Sequence, residues 1–201
     1  MNRDTVRKTL ATYFERPITQ LLAALGITPH MVTLSGLLLA GASAYLVSQG
    51  LLLAGGLVLA GSGLFDLLDG ALARATGKTS QFGALLDSVS DRIGEAGLLV
   101  GVLIFYSATE NTAGMALAFA AFASSIMVSY VRARGEGLGI DCQAGIMTRP
   151  ERVSTLVVAL VVAQWWTPIL VIALATISGL AVLTSFQRLL IIRSKLSRTD
   201  N

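Results

Sequence analysis

Long apolar segments are the feature that most constrains the fold of this chain. Of its 201 residues, 54% are hydrophobic and only 13% are charged, and the mean hydropathy is +0.71. A soluble domain carries about 25% charged residues, and a helix needs roughly 20 residues to cross the hydrocarbon core of a bilayer. The sequence therefore predicts an all-α integral membrane bundle of six transmembrane helices, at 31–49, 51–72, 83–107, 112–131, 153–167 and 168–190.

The basic residues are distributed as six spans require. The connections at 48–50, 106–112 and 164–168 contain no Lys or Arg, whereas the terminal segments and the remaining connections contain every basic residue except Arg92. The positive-inside rule places that basic side, with both termini, in the cytoplasm. We therefore expect a multi-pass protein of the cytoplasmic cell membrane. The net charge of +3 is explained by the basic residues on the cytoplasmic side. It therefore predicts no nucleic-acid partner.

The first 28 residues are predicted to form a juxtamembrane helix. Across residues 3–25 the apolar and basic side chains fall on different faces, which is typical of a helix lying in the headgroup plane, and Pro17 predicts a kink. Residues 29–201 would form the bundle, and the two parts together make one domain over 1–201. His30, the only histidine, falls at the mouth of the first span, where a boundary role is favoured over a metal or catalytic one.

Four aspartates lie inside the apolar segments. Asp66 and Asp69 are three residues apart, and Asp87 and Asp91 are four apart, so each pair shares a helix face. An ionised carboxylate in hydrocarbon costs roughly 2.5–3.5 kcal/mol on insertion scales. Antiparallel neighbouring helices would bring both pairs to one level near the cytoplasmic interface, where hard cations would neutralise them. We predict a site for one or two such ions, with room for the phosphate oxygens of a substrate.

A helix lock and an ion pathway are the alternative roles for the four aspartates. The carboxylates would pair with Arg74 and Arg92 if they only locked two helices together, but two arginines leave net negative charge on four aspartates. An ion or proton pathway would place acidic residues near the membrane midplane and along several helices. The observed cluster lies at one end of two segments, so a cation site is favoured.

The aspartates belong to a longer pattern with fixed spacing. The chain reads Asp66-x2-Asp69-Gly70-x2-Ala73-Arg74-x8-Gly83-x3-Asp87-x3-Asp91, which resembles the signature of the CDP-alcohol phosphotransferases. The resemblance implies an enzyme that transfers a phosphatidyl group from CDP-diacylglycerol, or a related CDP-lipid, to an alcohol and releases CMP. It also implies a homodimer.

The same resemblance implies roles for individual residues. The cofactor would be Mg2+ or Mn2+, as two ions, and Asp91 would also be the general base that takes the proton of the acceptor hydroxyl. The implied metal ligands are Asp66, Asp69, Asp87 and Asp91. The implied CDP-lipid contacts are Asp69, Gly70, Ala73, Arg74 and Gly83.

Four arginines flank the longest polar loop. Arg132 and Arg134 precede it, and Arg149 and Arg152 follow it, on the side of the aspartates. Four guanidinium groups so placed predict a pocket for a dianionic phosphate, although each could instead anchor a helix end by snorkelling. A phosphate pocket favours an acceptor alcohol that already carries a phosphate.

The acceptor itself is less constrained by the sequence. Residues 129–134 and 149–152 resemble the prokaryotic phosphatidylinositol phosphate synthases, which implies inositol 1-phosphate, although position 132 is more familiar there as lysine. Glycerol 3-phosphate is the alternative acceptor and would make the enzyme a phosphatidylglycerophosphate synthase. A membrane protein that binds a CDP-lipid or a cation without turnover is the alternative of a different class.

Overall fold

A computed structural model describes residues 15–199 of the chain, with side chains described as far as residue 197. The predicted basic residues Arg3, Arg7 and Lys8 lie outside the described residues. Residues 15–199 contain no strand and form seven helices, so the all-α prediction is confirmed. The helices are α1 (Arg16–Ala24), α2 (Pro29–Ser48), α3 (Leu52–Thr76), α4 (Gln81–Ala108), α5 (Thr112–Gly137), α6 (Arg149–Val162) and α7 (Pro168–Thr199).

Four helices in the described part of the chain are long and apolar enough to cross a membrane, namely α2, α3, α5 and the Pro168–Ser197 stretch of α7. The chain is therefore a multi-pass membrane protein. The other two predicted spans, at 83–107 and 153–167, fall on α4 and α6, of which the first is more charged and the second is shorter. Helix α4 is 28 residues long but carries Asp87, Asp91 and Arg92 in its first half and Glu95 just after its midpoint. Helix α6 has 14 residues, about 21 Å at 1.5 Å per residue.

A short turn between α3 and α4 sets the geometry of the aspartates. Helix α3 is capped by Gly77, whose φ of +65° is left-handed, a conformation that glycine adopts without steric cost at a helix end. Ser80 begins α4, and its Oγ accepts a hydrogen bond of 2.9 Å from the backbone N–H of Gly83. The cytoplasmic end predicted for α3 therefore lies beside the start of α4.

The helices pack through small residues. Helix α2 packs against α3 and α4, α5 packs against α4 and α7, and α6 packs against α3 and α7. A Cβ added at Gly101 would lie 2.4 Å from the carbonyl oxygen of Ala44, and one at Gly55 would lie 2.5 Å from Val47 Cγ2. Membrane helices associate through such close packing, because the apolar lipid tails leave no hydrophobic driving force between helices.

Helix α1 docks beside the ends of α2 and α3 that carry the site. Ile18 and Leu22 pack against a buried cluster formed by Val32, Leu68 and Leu72. Leu21 and Leu25, on the other side, are exposed. Pro17 lies in its first turn, where proline fits without breaking the helix, so the predicted kink does not fall within α1.

Candidate functional site

The four aspartates meet between α3 and α4. Asp69 and Asp87 line one cavity, and Asp87 and Asp91 line a neighbouring one. Asp66 and Asp91 contact the same guanidinium nitrogen, Arg149 Nη2, at 2.6 Å and 2.8 Å. The turn after Gly77 therefore brings together two pairs of carboxylates that the sequence places 18 or more residues apart.

Arg149 lies between Asp66 and Asp91, and its guanidinium contacts both carboxylates. Among residues 15–199, no group of three or more His, Cys, Asp or Glu side chains is arranged as a metal-binding set. The donor chemistry nevertheless suits Mg2+ or Mn2+, because hard cations take carboxylate oxygens. The guanidinium contacts one oxygen of each carboxylate, Asp66 Oδ2 and Asp91 Oδ1, and leaves the second oxygen of each free of this ion pair.

Thr33 of α2 orients Asp69. Its hydroxyl donates a hydrogen bond of 2.7 Å to Asp69 Oδ2, and both residues are buried. A buried carboxylate needs such partners, because burial without them is costly. Sequence reasoning missed Thr33. Its only signal is a hydroxyl one helical turn after Pro29, at the level where the aspartates were expected.

The first cavity, of about 220 Å³, lies between the end of α3 and the starts of α2 and α4. Its lining includes every residue predicted to contact the CDP-lipid, namely Asp69, Gly70, Ala73, Arg74 and Gly83. His30 and Lys78 also line it. A Cβ at Gly83 would lie 3.0 Å from Ser80 Oγ and 3.3 Å from His30 Nε2, so a side chain there would fill part of the cavity.

The second cavity, of about 470 Å³, lies on the other side of Asp87. It is bounded by α4, α5, the residues around Thr148 and the last helix, and Asp87 lines both cavities. Of the four arginines predicted to bind the acceptor phosphate, Arg132 and Arg149 line this cavity. Arg132 Nε also bonds Glu136 Oε1 at 2.8 Å.

The other two predicted arginines lie elsewhere. Arg134 is exposed on α5 and is absent from the residues that line the second cavity. Arg152 is 1% exposed and holds Glu95 through two nitrogens, at 2.5 Å and 2.7 Å. The expectation that Arg152 faces the acceptor phosphate is therefore corrected, since its guanidinium is already neutralised inside the bundle.

Arg188 is the cavity residue that sequence reasoning assigned only to the positive-inside pattern. It is buried in α7 and lines the second cavity. Its Nε and Nη1 donate to the carbonyl oxygens of Ala144 and Val128, both at 2.8 Å, and none of the ion pairs among the described residues includes it. Because an arginine side chain is effectively always protonated, this guanidinium places a positive charge beside the cavity.

These features define a helical membrane protein with an acidic cleft between two cavities, one of them lined by arginines. The sequence profile of the CDP-alcohol phosphatidyltransferase family matches residues 26–189. The chain belongs to the CDP-alcohol phosphatidyltransferase family.

Named relatives and solved structures resemble the chain over most of its length. The chain is 34% identical to an archaetidylinositol phosphate synthase of Methanothermobacter thermautotrophicus, over 82% of this chain and 83% of the relative. It is 33% identical to the phosphatidylinositol phosphate synthase of Mycobacterium tuberculosis, over 86% and 82%. The crystal structure of that M. tuberculosis enzyme with CDP-DAG bound superimposes with a TM-score of 0.84 at 32% identity, covering 89% of this chain and 93% of the other. A second structure of it, in complex with manganese and citrate, gives a TM-score of 0.82 at 32% identity, over 88% and 87%.

Proposed function

We propose that this protein transfers a phosphatidyl group from CDP-diacylglycerol, or a related CDP-lipid, to inositol 1-phosphate and releases CMP. The observation that carries the proposal is the position of Asp87 in the wall of both cavities. A donor in the first cavity and an acceptor in the second would meet at the aspartates. The relatives named as inositol phosphate synthases and the related structure with CDP-DAG support the same substrates.

The CDP-lipid binds in the first cavity. Arg74 and Lys78 supply positive charge for its pyrophosphate. Gly70 and Gly83 leave the space that the nucleotide needs, since side chains there would crowd Arg74 and His30. Ala73 and Asp69 complete the wall of the cavity.

Two ions of Mg2+ or Mn2+ bind at the aspartates. Asp66, Asp69 and Asp87 would hold them, and Asp91 would complete the ligand set. Bound there, the ions supply charge neutralisation for the pyrophosphate, which is the main requirement of phosphoryl transfer. The related structure with manganese supports a divalent cation. The protein's own contribution includes Thr33, which keeps Asp69 oriented through its 2.7 Å hydrogen bond.

The acceptor phosphate binds in the second cavity to Arg132, Arg149 and Arg188. This set replaces the predicted Arg134 and Arg152, because only residues that line the cavity reach a ligand in it. The pyrophosphate of the donor and the phosphate of the acceptor are then held on opposite sides of Asp87.

The reaction is a direct displacement at phosphorus. The hydroxyl oxygen of the acceptor attacks the phosphorus that carries the lipid, and the bond from that phosphorus to the oxygen of CMP breaks. Asp91 takes the proton of the hydroxyl, since it lies in the wall of the second cavity. CMP leaves with the electron pair of the broken bond, and no covalent intermediate with the protein forms.

The proposed membrane arrangement is the full six-span bundle in one domain, with α4 and α6 as the additional spans and α1 as the juxtamembrane helix. Trp165 and Trp166, between α6 and α7, are both exposed, as tryptophans at a membrane–water interface are. The aspartates and the basic connections face the cytoplasm, and the protein is a homodimer in the cytoplasmic membrane.

Labelling of single cysteines at 48, 110 and 141 in intact cells tests the topology: modification of the site at 141 from outside would contradict it.

Release of CMP by the purified protein tests the function. The assay contains CDP-diacylglycerol and Mg2+ with inositol 1-phosphate, glycerol 3-phosphate, serine or free inositol as acceptor. We expect turnover with inositol 1-phosphate only. Turnover with glycerol 3-phosphate would keep the chemistry and overturn the acceptor. A preference for an unphosphorylated alcohol would make the arginines membrane anchors, and no CMP release with any acceptor would favour a CDP-lipid-binding protein without turnover.

A further inference from the structure

A second acid–base pair lies directly beyond the contact between Asp91 and Arg149. Glu95 and Arg152 are joined by two hydrogen bonds, Nε to Oε1 at 2.5 Å and Nη2 to Oε2 at 2.7 Å. Both residues are buried, at 7% and 1% exposure. The pair is therefore withdrawn from solvent and from the second cavity, whose lining includes neither residue.

The two pairs are neighbours on the same two helices. Glu95 follows Asp91 by four residues on α4, and Arg152 follows Arg149 by three on α6, so each pair of neighbours shares a helix face. Residues of α4 and α6 thus meet through two consecutive acid–base contacts. The contact between Asp91 and Arg149 involves residues of the site, and the contact between Glu95 and Arg152 does not.

Arg152 also holds the segment that leads into α6. Its Nη1 donates to the carbonyl oxygen of Met147 at 3.2 Å, and the backbone N–H of Met147 donates to Thr184 Oγ1 of α7 at 3.0 Å. One guanidinium therefore connects α4, the entry to α6 and, through Met147, α7. These elements form the walls of the second cavity.

We propose that Glu95 is a positioning residue for the acceptor: through Arg152 it fixes the start of α6, and with it Arg149, at the wall of the second cavity. This inference rests on the proposed function. Asp66 and Asp91, which pair with Arg149, are proposed metal ligands, whereas the contact between Glu95 and Arg152 involves no proposed metal ligand. Stability alone explains the pair poorly, because a buried ion pair is often no more stabilising than an apolar pair of similar size.

The test replaces both partners at once. The double variant Glu95→Leu/Arg152→Met leaves no unpaired buried charge, so it avoids the large loss of stability that removal of one partner causes. We expect its KM for inositol 1-phosphate to rise roughly tenfold or more, because small displacements of a binding group cost one to two orders of magnitude. The KM for CDP-diacylglycerol should change less than about twofold. Neither KM depends on the fraction of protein that is folded.

Ser43→Ala is the matched control. Its hydroxyl donates a buried hydrogen bond of 2.8 Å to the carbonyl oxygen of Gly55, ten residues along α2 from Thr33. The control should lower the thermal midpoint while both KM values stay at the wild-type level. A double variant with a wild-type acceptor KM would overturn the positioning role, and so would an equal rise in the two KM values.

Binding of the acceptor separates this inference from the proposed function. Isothermal titration with inositol 1-phosphate is run on the wild-type protein and on the double variant. If the wild type releases no CMP, the proposed function fails, and the titration alone decides the role of Glu95. Weaker binding by the double variant supports the role, and equal binding or no binding by either protein overturns it.

Discussion

The two cavities beside Asp87 are built in different ways. The first is lined mostly by residues 69–87, which are the end of α3, one turn and the start of α4, with three residues from the start of α2. The second takes its walls from α4, α5, the entry to α6 and α7. Residues as far apart as Ala84 and Arg188 share the second cavity. The first cavity is therefore a local structure, whereas the second cavity is assembled by the tertiary fold.

This difference has a consequence for specificity. A local cavity depends on helix ends and on one turn, so its shape is fixed by Gly77, Ser80 and their neighbours. An assembled cavity depends on how several helices pack, so its shape can change when any of them shifts. We infer that the first cavity holds the part of the reaction common to the family, and that the second sets the acceptor.

Asp87 links the two cavities, and its replacement should have the largest effect. Asp87→Asn keeps the size of the side chain and removes its charge. We expect kcat/KM to fall roughly 10³-fold or more with every acceptor, which corresponds to about 4 kcal/mol. CMP release measures this. The control is Glu110→Gln, an exposed carboxylate between α4 and α5, which should leave activity unchanged. If the Asp87 variant slowed only one acceptor, the two cavities would not share it.

The same difference explains how far the sequence could predict the site. All five residues expected to contact the CDP-lipid line the first cavity, because their spacing along two adjoining helices determines where they lie. The all-helical fold was also predictable, since apolar segments of this length leave few alternatives. The span count was harder to predict, because α4 is charged in its first half and α6 is short.

The second cavity could not be predicted to the same extent. Arg149 and Arg152 are three residues apart in sequence, and nothing local indicates that only Arg149 lines the cavity. The partner of Arg152 is Glu95, 57 residues earlier, so its burial depends on long-range packing. Arg188 fitted the positive-inside pattern and gave no other signal. Its burial against Ala144 and Val128 is a property of the assembled bundle.

Two arginines on α5 offer the next test, which concerns the second cavity alone. Arg132→Gln should raise the KM for inositol 1-phosphate about tenfold, because a charge-assisted hydrogen bond contributes roughly 1.5–3 kcal/mol. Arg134→Gln makes the same change of charge on the same helix, but Arg134 is exposed and does not line the cavity. We expect less than about a twofold change for it. Equal effects would mean that the arginines act through the general potential of the surface and not through the cavity.

The complementary test fills the first cavity. A Cβ at Gly83 would lie 3.0 Å from Ser80 Oγ, so Gly83→Ala should raise the KM for CDP-diacylglycerol roughly fivefold, or about 1 kcal/mol. The KM for the acceptor should not change. Gly97→Ala is the matched control on the same helix, because a Cβ there meets no heavy atom within 4 Å. A rise in the acceptor KM with Gly83→Ala would show that the two cavities are not independent.

The smallest expected effect concerns how firmly the first cavity is fixed. Thr33→Val keeps the shape of the side chain but removes the 2.7 Å hydrogen bond to Asp69. A hydrogen bond contributes about 0.5–1.5 kcal/mol net, so kcat/KM should fall roughly threefold, and more Mg2+ should be needed for half-maximal activity. Thr176→Val is the control, since that exposed hydroxyl bonds only within its own helix, to Ile172 at 2.8 Å. If Thr33→Val leaves the Mg2+ requirement unchanged, the turn between α3 and α4 orients Asp69 without help from α2. The first cavity would then be entirely local, which would sharpen its contrast with the second.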